Sequence, residues 1–227
     1  GDGACAKNPE ITKEINLNSV KNLVRNYSGK IIFMSTCSVY GQSNKVLNEN
    51  SKKNPLSLYA STKIDAEKII TKHSKNNCIF RLGTLYGVGD QVSRIRLDLV
   101  VNILTMKASI SKPLEVFGGN QWRPNIHVDD VASGIIKVLE APLNKVERQI
   151  FNLSNSKENL RIKDLALKVG KFFNKCKILI SKVNYDNRNY KVSSKKIEKI
   201  LGFKPKNTIE SSLKDFKKIF KDKKITN

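Results

Sequence analysis

Residues 34–41 read Met-Ser-Thr-Cys-Ser-Val-Tyr-Gly, and residues 59–63, after a polar loop, read Tyr-Ala-Ser-Thr-Lys. A tyrosine and a lysine four positions apart lie on one face of a helix, and Thr36 at the end of a buried strand can meet them there. A phenol with an ordinary pKa near ~10 is a poor base at neutral pH, so we expect Lys63 to favour its ionised form. Together the two segments predict a proton-transfer site.

The order of the segments makes this prediction more specific than the tyrosine and the lysine do alone. A Tyr-x-x-x-Lys pair also occurs where a tyrosine packs at an interface and a lysine extends into water. Here a second apolar run leads into Arg-Leu-Gly-Thr-Leu-Tyr-Gly at residues 81–87. Residues 118–132 then read Gly-Gly-Asn-Gln-Trp-Arg-Pro-Asn-Ile-His-Val-Asp-Asp-Val-Ala. Four such motifs in this order are far more specific than any one of them.

At these motifs the sequence resembles the extended short-chain dehydrogenase/reductase family, in particular its NAD-dependent sugar-nucleotide epimerases and dehydratases, such as UDP-glucose 4-epimerase. The resemblance extends to residues 186–193 and 201–205, and so covers nearly the whole chain. It implies an α/β fold, with a Rossmann-type parallel sheet that has helices on both faces and a small C-terminal α/β lobe for the substrate. The NAD-binding domain would comprise residues 1–84 and 114–153, and the substrate lobe mainly residues 85–113 and 154–227.

The glycine-rich turn that opens this family's fold is not among the 227 residues. Such a turn follows a strand and opens a helix whose amides hold the cofactor pyrophosphate. Gly1 and Gly3 follow no strand, and residues 1–16 instead resemble the family's segment after its fourth strand. We therefore expect the chain to be the C-terminal part of a longer enzyme. By itself it is expected to bind NAD weakly, to lack activity, and to associate through the uncovered strand at 31–34.

The resemblance implies a role for each residue that matches a family motif. Tyr59 would remove a proton from a sugar hydroxyl, Lys63 would lower the pKa of Tyr59 and bind the nicotinamide ribose, and Thr36 would hold the reacting hydroxyl. The implied cofactor, NAD with NADP left open, would be contacted by Ser35, Tyr59, Lys63, Leu82 and Thr84. The implied nucleotide-sugar substrate would be contacted by Thr36, Thr84, Arg123, Arg188 and Tyr190.

The two arginines suit a diphosphate because a forked guanidinium binds phosphate oxygens in pairs. Alternatively, the two arginines are ordinary surface residues. The alternative for Tyr190 is packing in a core or an interface. In the related 4,6-dehydratases the threonine is followed by Asp-Glu, whereas Cys37 and Ser38 follow Thr36 here, which favours epimerisation or simple oxidoreduction at a sugar carbon over dehydration. His127 is expected to be structural, at the turn before a helix.

Several functions therefore stay open beside epimerisation. A nucleotide-sugar dehydratase or a keto-sugar reductase would use the same fold. A non-catalytic remnant or binding subunit would keep the fold without its chemistry. The reading frame upstream of Gly1 would discriminate among these, since an active enzyme requires the glycine-rich βαβ unit there.

Polar helices alternate with short apolar strands along the chain, which is typical of α/β layering. The first long helix, at 9–27, is predicted to bury Ile11, Ile15, Val20, Leu23 and Val24. Further helices are predicted at 55–73, 95–108, 128–140 and 161–173, with two more starting near 193 and 209. Strands are predicted at 30–34, 78–82, 114–117, 149–153 and 177–181.

The net charge of +22 comes from lysines spread along the chain rather than clustered with base-reading groups, so we expect no nucleic-acid partner. No apolar run is long enough to span a bilayer, and no metal site is expected with two histidines and four scattered cysteines. Such cysteines indicate reduced thiols and a cytoplasmic protein. A homodimer is expected of the complete enzyme.

Overall fold

The computed structural model describes residues 1–89, 95–174, 176–183 and 186–222. Its helices are α1 (Asp2–Lys7), α2 (Pro9–Lys13), α3 (Ser19–Asn26), α4 (Leu58–His73), α5 (Val100–Ser109), α6 (Val128–Glu140), α7 (Leu143–Val146), α8 (Ile162–Phe172), α9 (Lys195–Leu201) and α10 (Ile209–Asp222). The strands are β1 (Ile31–Thr36), β2 (Gln42–Leu47), β3 (Asn77–Leu82), β4 (Thr84–Tyr86), β5 (Leu114–Phe117), β6 (Trp122–His127), β7 (Gln149–Leu153), β8 (Asn155–Arg161), β9 (Ile178–Ser181) and β10 (Asn189–Val192). A π-helical turn, Glu14–Asn18, joins α2 to α3, and a 3₁₀ turn, Cys37–Tyr40, follows β1.

The centre of the fold is a parallel sheet in the strand order β1, β3, β7. Its strands are rich in apolar residues because helices cover both faces. On one face Ile31 packs with α3 and α4, in a cluster that includes Ile70. On the other face Phe80 and Phe151 pack with α6 and α9. The predicted α/β class with helices on both faces is confirmed.

A second core lies among α5, α8, α10 and the parallel pair of β5 and β9. Leu114 and Val116 of β5 belong to this core, together with Leu165, Leu213 and Phe216. The segments 114–117 and 162–172 therefore share one interior. The division of the chain into an NAD-binding domain and a substrate lobe at the boundaries given above stays a prediction.

Two further sheets, one of three strands and one of two, position the remaining segments around the central sheet. Strand β6 pairs in parallel with β4 and antiparallel with β8, and β10 pairs in parallel with β2. Gly83, between β3 and β4, lies against this arrangement so closely that a Cβ there would meet the Pro124 carbonyl oxygen at 3.1 Å. The chain can thus leave the central sheet at Gly83 and enter the second sheet at once.

The helical segment from α2 to α3 lies where a helix was predicted at 9–27. Its buried face was predicted wrongly. Asn8 accepts a hydrogen bond from Ile11 N at 3.0 Å and Pro9 takes the first helical position, so the start is well defined. Val20 is buried, whereas Ile11, Ile15 and Leu23 are 54%, 64% and 43% exposed. The π-helical turn changes the rotational phase of the helix between residues 15 and 19, so residues before and after it do not form one stripe.

Helix α4 begins at Leu58, three residues later than predicted, because Ser57 is its N-cap and accepts a hydrogen bond from Ala60 N at 3.2 Å. Its inward face was predicted correctly, since Ala66 and Ile70 are buried. Across the described part of the chain, no helix combines the length and the apolar composition that crossing a membrane requires.

Candidate active site at the carboxyl end of the central sheet

Tyr59 and Lys63 lie on the face of α4 that packs against the end of β1. Lys63 Nζ donates a hydrogen bond to the Met34 carbonyl oxygen at 2.9 Å and lies 4.6 Å from the centroid of the Phe33 ring. The Tyr59 phenol lies near the side chain of Thr36, the last residue of β1, and that side chain favours the ionised form of Tyr59 and so lowers its pKa. The structure therefore brings together the three residues that the sequence placed in a proton-transfer site.

The protonation of Tyr59 depends on the groups around it. Burial and the negative charge of Asp2 raise the pKa of Tyr59 above its ordinary value, and the Thr36 side chain only partly offsets them. Lys63 Nζ is 6.0 Å from the centroid of the Tyr59 ring and bonds to the backbone instead, while burial lowers its own pKa. In this arrangement the pKa of Tyr59 is raised, and the lowering of that pKa by Lys63 stays a prediction.

The other three predicted cofactor contacts lie around this centre. Leu82 is half-buried at the end of β3, where it pairs with Thr36, and Thr84 is half-buried at the start of β4. Ser35 is buried, and its hydroxyl donates to Glu67 Oε1 at 2.5 Å. The Ser35 side chain thus faces the interior beneath α4.

A buried ion pair that the sequence analysis missed lies under the site. Arg81 donates from Nε to Glu67 Oε1 at 3.0 Å and from its Nη2 to Glu67 Oε2 at 2.7 Å. Its Nη1 donates to Tyr40 Oη at 3.1 Å and to the Glu49 carbonyl oxygen at 3.0 Å. Burial opposes the charge on Arg81, but the bonds to Glu67 outweigh it and raise the pKa of Arg81. The signal available in the sequence was a glutamate four residues after Lys63, with an arginine inside an apolar strand.

Arg123 and Arg188 come together although 65 residues separate them in the chain. Asp186 Oδ2 lies 2.6 Å from a guanidinium nitrogen of each arginine. Arg188 also forms an ion pair with Asp2, and Asp2 accepts a hydrogen bond from Ser57 at the start of α4. Two carboxylates therefore balance the two arginines, and the cluster connects the C-terminal region to the helix of Tyr59.

Tyr190 packs beneath this cluster. The Arg123 guanidinium lies 5.7 Å from the centroid of its ring, and its hydroxyl is 3.3 Å from Ser38 Oγ. The side chain is 3% exposed, in a core that includes Cys37, Val39 and Tyr40. Tyr190 therefore packs in a core, which was the alternative interpretation of this residue. A ligand could contact Tyr190 only if the residues that cover it moved.

His127 has the structural position expected for it, and Cys37 and Ser38 are buried. His127 Nδ1 accepts a hydrogen bond from Asp129 N at 3.2 Å at the start of α6, and its ring lies edge-on to Tyr86. Cys37 is fully buried, with Sγ 3.1 Å from the Arg81 carbonyl oxygen, and burial raises the pKa of its thiol. Neither Cys37 nor Ser38 presents an acidic group to the site.

Residues 1–154 match the model of the NAD dependent epimerase/dehydratase family, and the chain belongs to this family. It is 33% identical over 197 residues to an uncharacterised protein of Methanocaldococcus jannaschii, across 82% of this chain and 57% of that protein. A Bacillus subtilis protein named an uncharacterised UDP-glucose epimerase is 34% identical over 116 residues, across 49% of this chain and 35% of its own. The chain thus spans little more than half of the first relative and a third of the second.

Among solved structures, the UDP-glucuronic acid 4-epimerase of Bacillus cereus, in complex with UDP-glucuronic acid and NAD, is similar with a TM-score of 0.79. The two are 25% identical, and the match covers 93% of this chain and 68% of that chain. The family resemblance seen in the sequence is confirmed.

The residues at the end of β1 fit one end of a dinucleotide. Nucleotides bind at the carboxyl edge of open parallel sheets, where Thr36, Tyr59 and Lys63 place two hydroxyls and an ammonium group. Tyr59 and Lys63 are half-buried, so their polar ends are accessible at this edge. These groups suit a nicotinamide and its ribose, whereas residues for the pyrophosphate turn are not in the 227-residue sequence.

Proposed function

We propose that this chain carries the proton-transfer centre and the substrate contacts of an NAD-dependent nucleotide-sugar epimerase. The observation that carries the proposal is the contact of Tyr59 and Lys63, one turn apart on α4, with the last residues of β1. This contact lies within the residues that match the family. NAD, with NADP as the other candidate, would accept a hydride from a sugar carbon and return it.

In this proposal each residue has one task. The Thr36 hydroxyl holds the sugar hydroxyl, and Tyr59 exchanges a proton with it. Since burial and Asp2 raise the pKa of Tyr59, the phenol starts protonated and becomes a base only when its surroundings become more positive. Ser35 lies beneath the site and acts through Glu67. Leu82 and Thr84 line the far side of the site.

The nucleotide part of the substrate would bind near Arg123 and Arg188. Their guanidinium groups converge on one carboxylate oxygen, and an anion with several oxygens would bind in the same place. The Tyr190 ring supports Arg123 from below. The substrate class proposed is therefore a nucleoside diphosphate sugar.

Epimerisation is favoured over dehydration because elimination of water needs an acid and a base beside the threonine. Cys37 and Ser38 occupy those positions and are buried. Simple oxidoreduction at a sugar carbon, as in a keto-sugar reductase, would use the same three residues and is the second candidate.

We also propose that the complete protein is a homodimer. Ile11, Ile15 and Leu23 leave apolar side chains exposed on the helical segment that packs beside α4. A second copy would remove this surface from water. The cytoplasmic location stays a prediction.

The test is Tyr59→Phe in the protein supplied with a glycine-rich βαβ segment before Gly1. Turnover of a panel of nucleotide sugars should fall by about 10²–10⁴-fold, the usual contribution of a general acid–base group. Thermal melting should be unchanged, because the aromatic ring remains. Tyr27→Phe, at an exposed position, is the matched control and should keep full activity.

Unchanged turnover by Tyr59→Phe on a substrate that the parent converts would contradict the proposal. Absence of turnover in the parent over the whole panel would instead favour the non-catalytic binding subunit.

A further inference from the structure

We infer that Glu67 is a positioning residue for the proton-transfer centre, because it holds the face of α4 that carries Tyr59 and Lys63 against the end of β1. The inference rests on the proposed function for the meaning of that centre. Glu67 does not touch the site itself, and it acts through Ser35, Arg81 and Lys63.

Three residues of α4 at four-residue spacing each contact one of the last three residues of β1. Tyr59 lies near Thr36, whose side chain acts on the Tyr59 pKa, while Lys63 donates to the Met34 carbonyl oxygen and Glu67 accepts from the Ser35 hydroxyl. A spacing of four places them on one side of the helix, so the contacts form a row along the strand. Such a row fixes both the position of α4 along β1 and the rotation of α4 about its own axis.

Glu67 is the strongest of the three contacts. Its two carboxylate oxygens accept from Ser35 and twice from Arg81, and the side chains of the ion pair are 5% and 1% exposed. Arg81 lies on β3 directly beside Ser35 in the sheet register. Glu67 therefore connects α4 to two neighbouring strands, whereas Tyr59 and Lys63 contact only one.

The charge of Glu67 also acts on Lys63. Burial lowers the pKa of Lys63, and the nearby groups Cys5 of α1 and Glu67 of α4 oppose that effect, as they favour the ammonium form. Tyr59 is the other titratable group on this face of α4. Loss of the negative charge at Glu67 should lower the pKa of Lys63 further, which leaves more neutral amine at any pH below that pKa.

The experiment compares Glu67→Gln with the parent by brief acetylation at several pH values, followed by mass spectrometry of each lysine. The rate at Lys63, divided by the rate at exposed Lys68 on the same helix, should rise about 3- to 10-fold in the variant, equal to roughly half to one unit of pKa. A residue with only a structural role would change stability but leave this ratio unchanged.

Glu67→Gln could lose the fold together with the buried pair. The double variant Glu67→Met/Arg81→Met removes both charges at similar volume, a change that often preserves stability. It should show a rise in the Lys63 ratio in the same direction, smaller because the opposing charge of Arg81 is also removed, and circular dichroism like that of the parent. An unchanged ratio in either variant with parent-like circular dichroism overturns the inference.

Turnover separates this inference from the proposed function. In the complete enzyme, Glu67→Gln should lower kcat and leave KM for the nucleotide sugar unchanged, since Arg123 and Arg188 are not affected. A raised KM with unchanged kcat would overturn the positioning role. The acetylation ratio needs no turnover, so it stays informative if Tyr59→Phe shows that the proposed chemistry is wrong.

Discussion

Two clusters of arginine and carboxylate lie near the candidate site and differ in how far water reaches them. The Arg81 and Glu67 side chains are 1% and 5% exposed, and those of Arg188 and Asp186 are 26% and 36% exposed. Arg81 bonds in addition to a tyrosine hydroxyl and a backbone carbonyl inside the protein. The same kind of ion pair is thus shielded from water in one place and partly open to it in the other.

The two clusters differ because separating an arginine from its carboxylate costs more free energy in the buried cluster than in the partly exposed one. A buried charge that loses its partner has no water to replace it, so the Arg81 pair must stay intact. Asp186 is partly open, and its carboxylate has the same oxygen geometry that a phosphate offers to a guanidinium. Although burial alone would raise it, Arg188 and Arg123 hold the pKa of Asp186 below its usual range, so it stays an anion at neutral pH.

Removing one partner of the buried pair should give the largest effect. We expect Arg81→Ala to lower the free energy of unfolding by about 3–5 kcal/mol, because Glu67 would be left buried without a counter-charge. Urea denaturation followed by circular dichroism measures it. Arg96→Ala, which breaks an exposed pair with Asp98, is the control and should cost no more than about 1 kcal/mol. Equal losses in the two variants would remove the distinction between buried and exposed pairs.

Removing Arg188, the more exposed arginine of the second cluster, should affect binding rather than folding. We expect Arg188→Ala to weaken the binding of UDP by roughly 1.5–3 kcal/mol, the range for a charge-assisted hydrogen bond. Isothermal titration calorimetry measures the affinity, and Arg25→Ala, at an exposed position on α3, is the control for net charge. If UDP binds both variants as it binds the parent, Arg188 is an ordinary surface arginine.

The smallest expected effect has the opposite sign. Asp186→Asn removes the carboxylate that competes with a phosphate for Arg123 and Arg188, so UDP should bind more tightly, by up to about 1 kcal/mol for a partly exposed pair. The same titration measures it, with Asp65→Asn on the outer face of α4 as a control of equal charge. Weaker binding by Asp186→Asn would mean that Asp186 orients the arginines instead of competing with the ligand.

The local spacing of residues was enough to predict the centre of the site. Tyr59 and Lys63 share a helix face because of the helical period, and the apolar run before Thr36 could only be an interior strand. The same reasoning placed β3, β5, β7 and α6 within one residue of their observed bounds, and β1 within two. Strands β2, β4, β6, β8 and β10 were not predicted, because they are short or polar and become strands only through their pairing partners.

Sequence alone therefore determined the family, the α/β class and the trio of Thr36, Tyr59 and Lys63, since each depends on a period or a motif carried by neighbouring residues. Tertiary structure alone decided that Lys63 bonds to a backbone carbonyl, that Glu67 and Arg81 meet under the site, and that Asp186 lies between two arginines. It also decided that Ile11 and Ile15 are exposed. These features depend on which distant segments come into contact and on how much water is excluded, and neither quantity is present in the local order of residues.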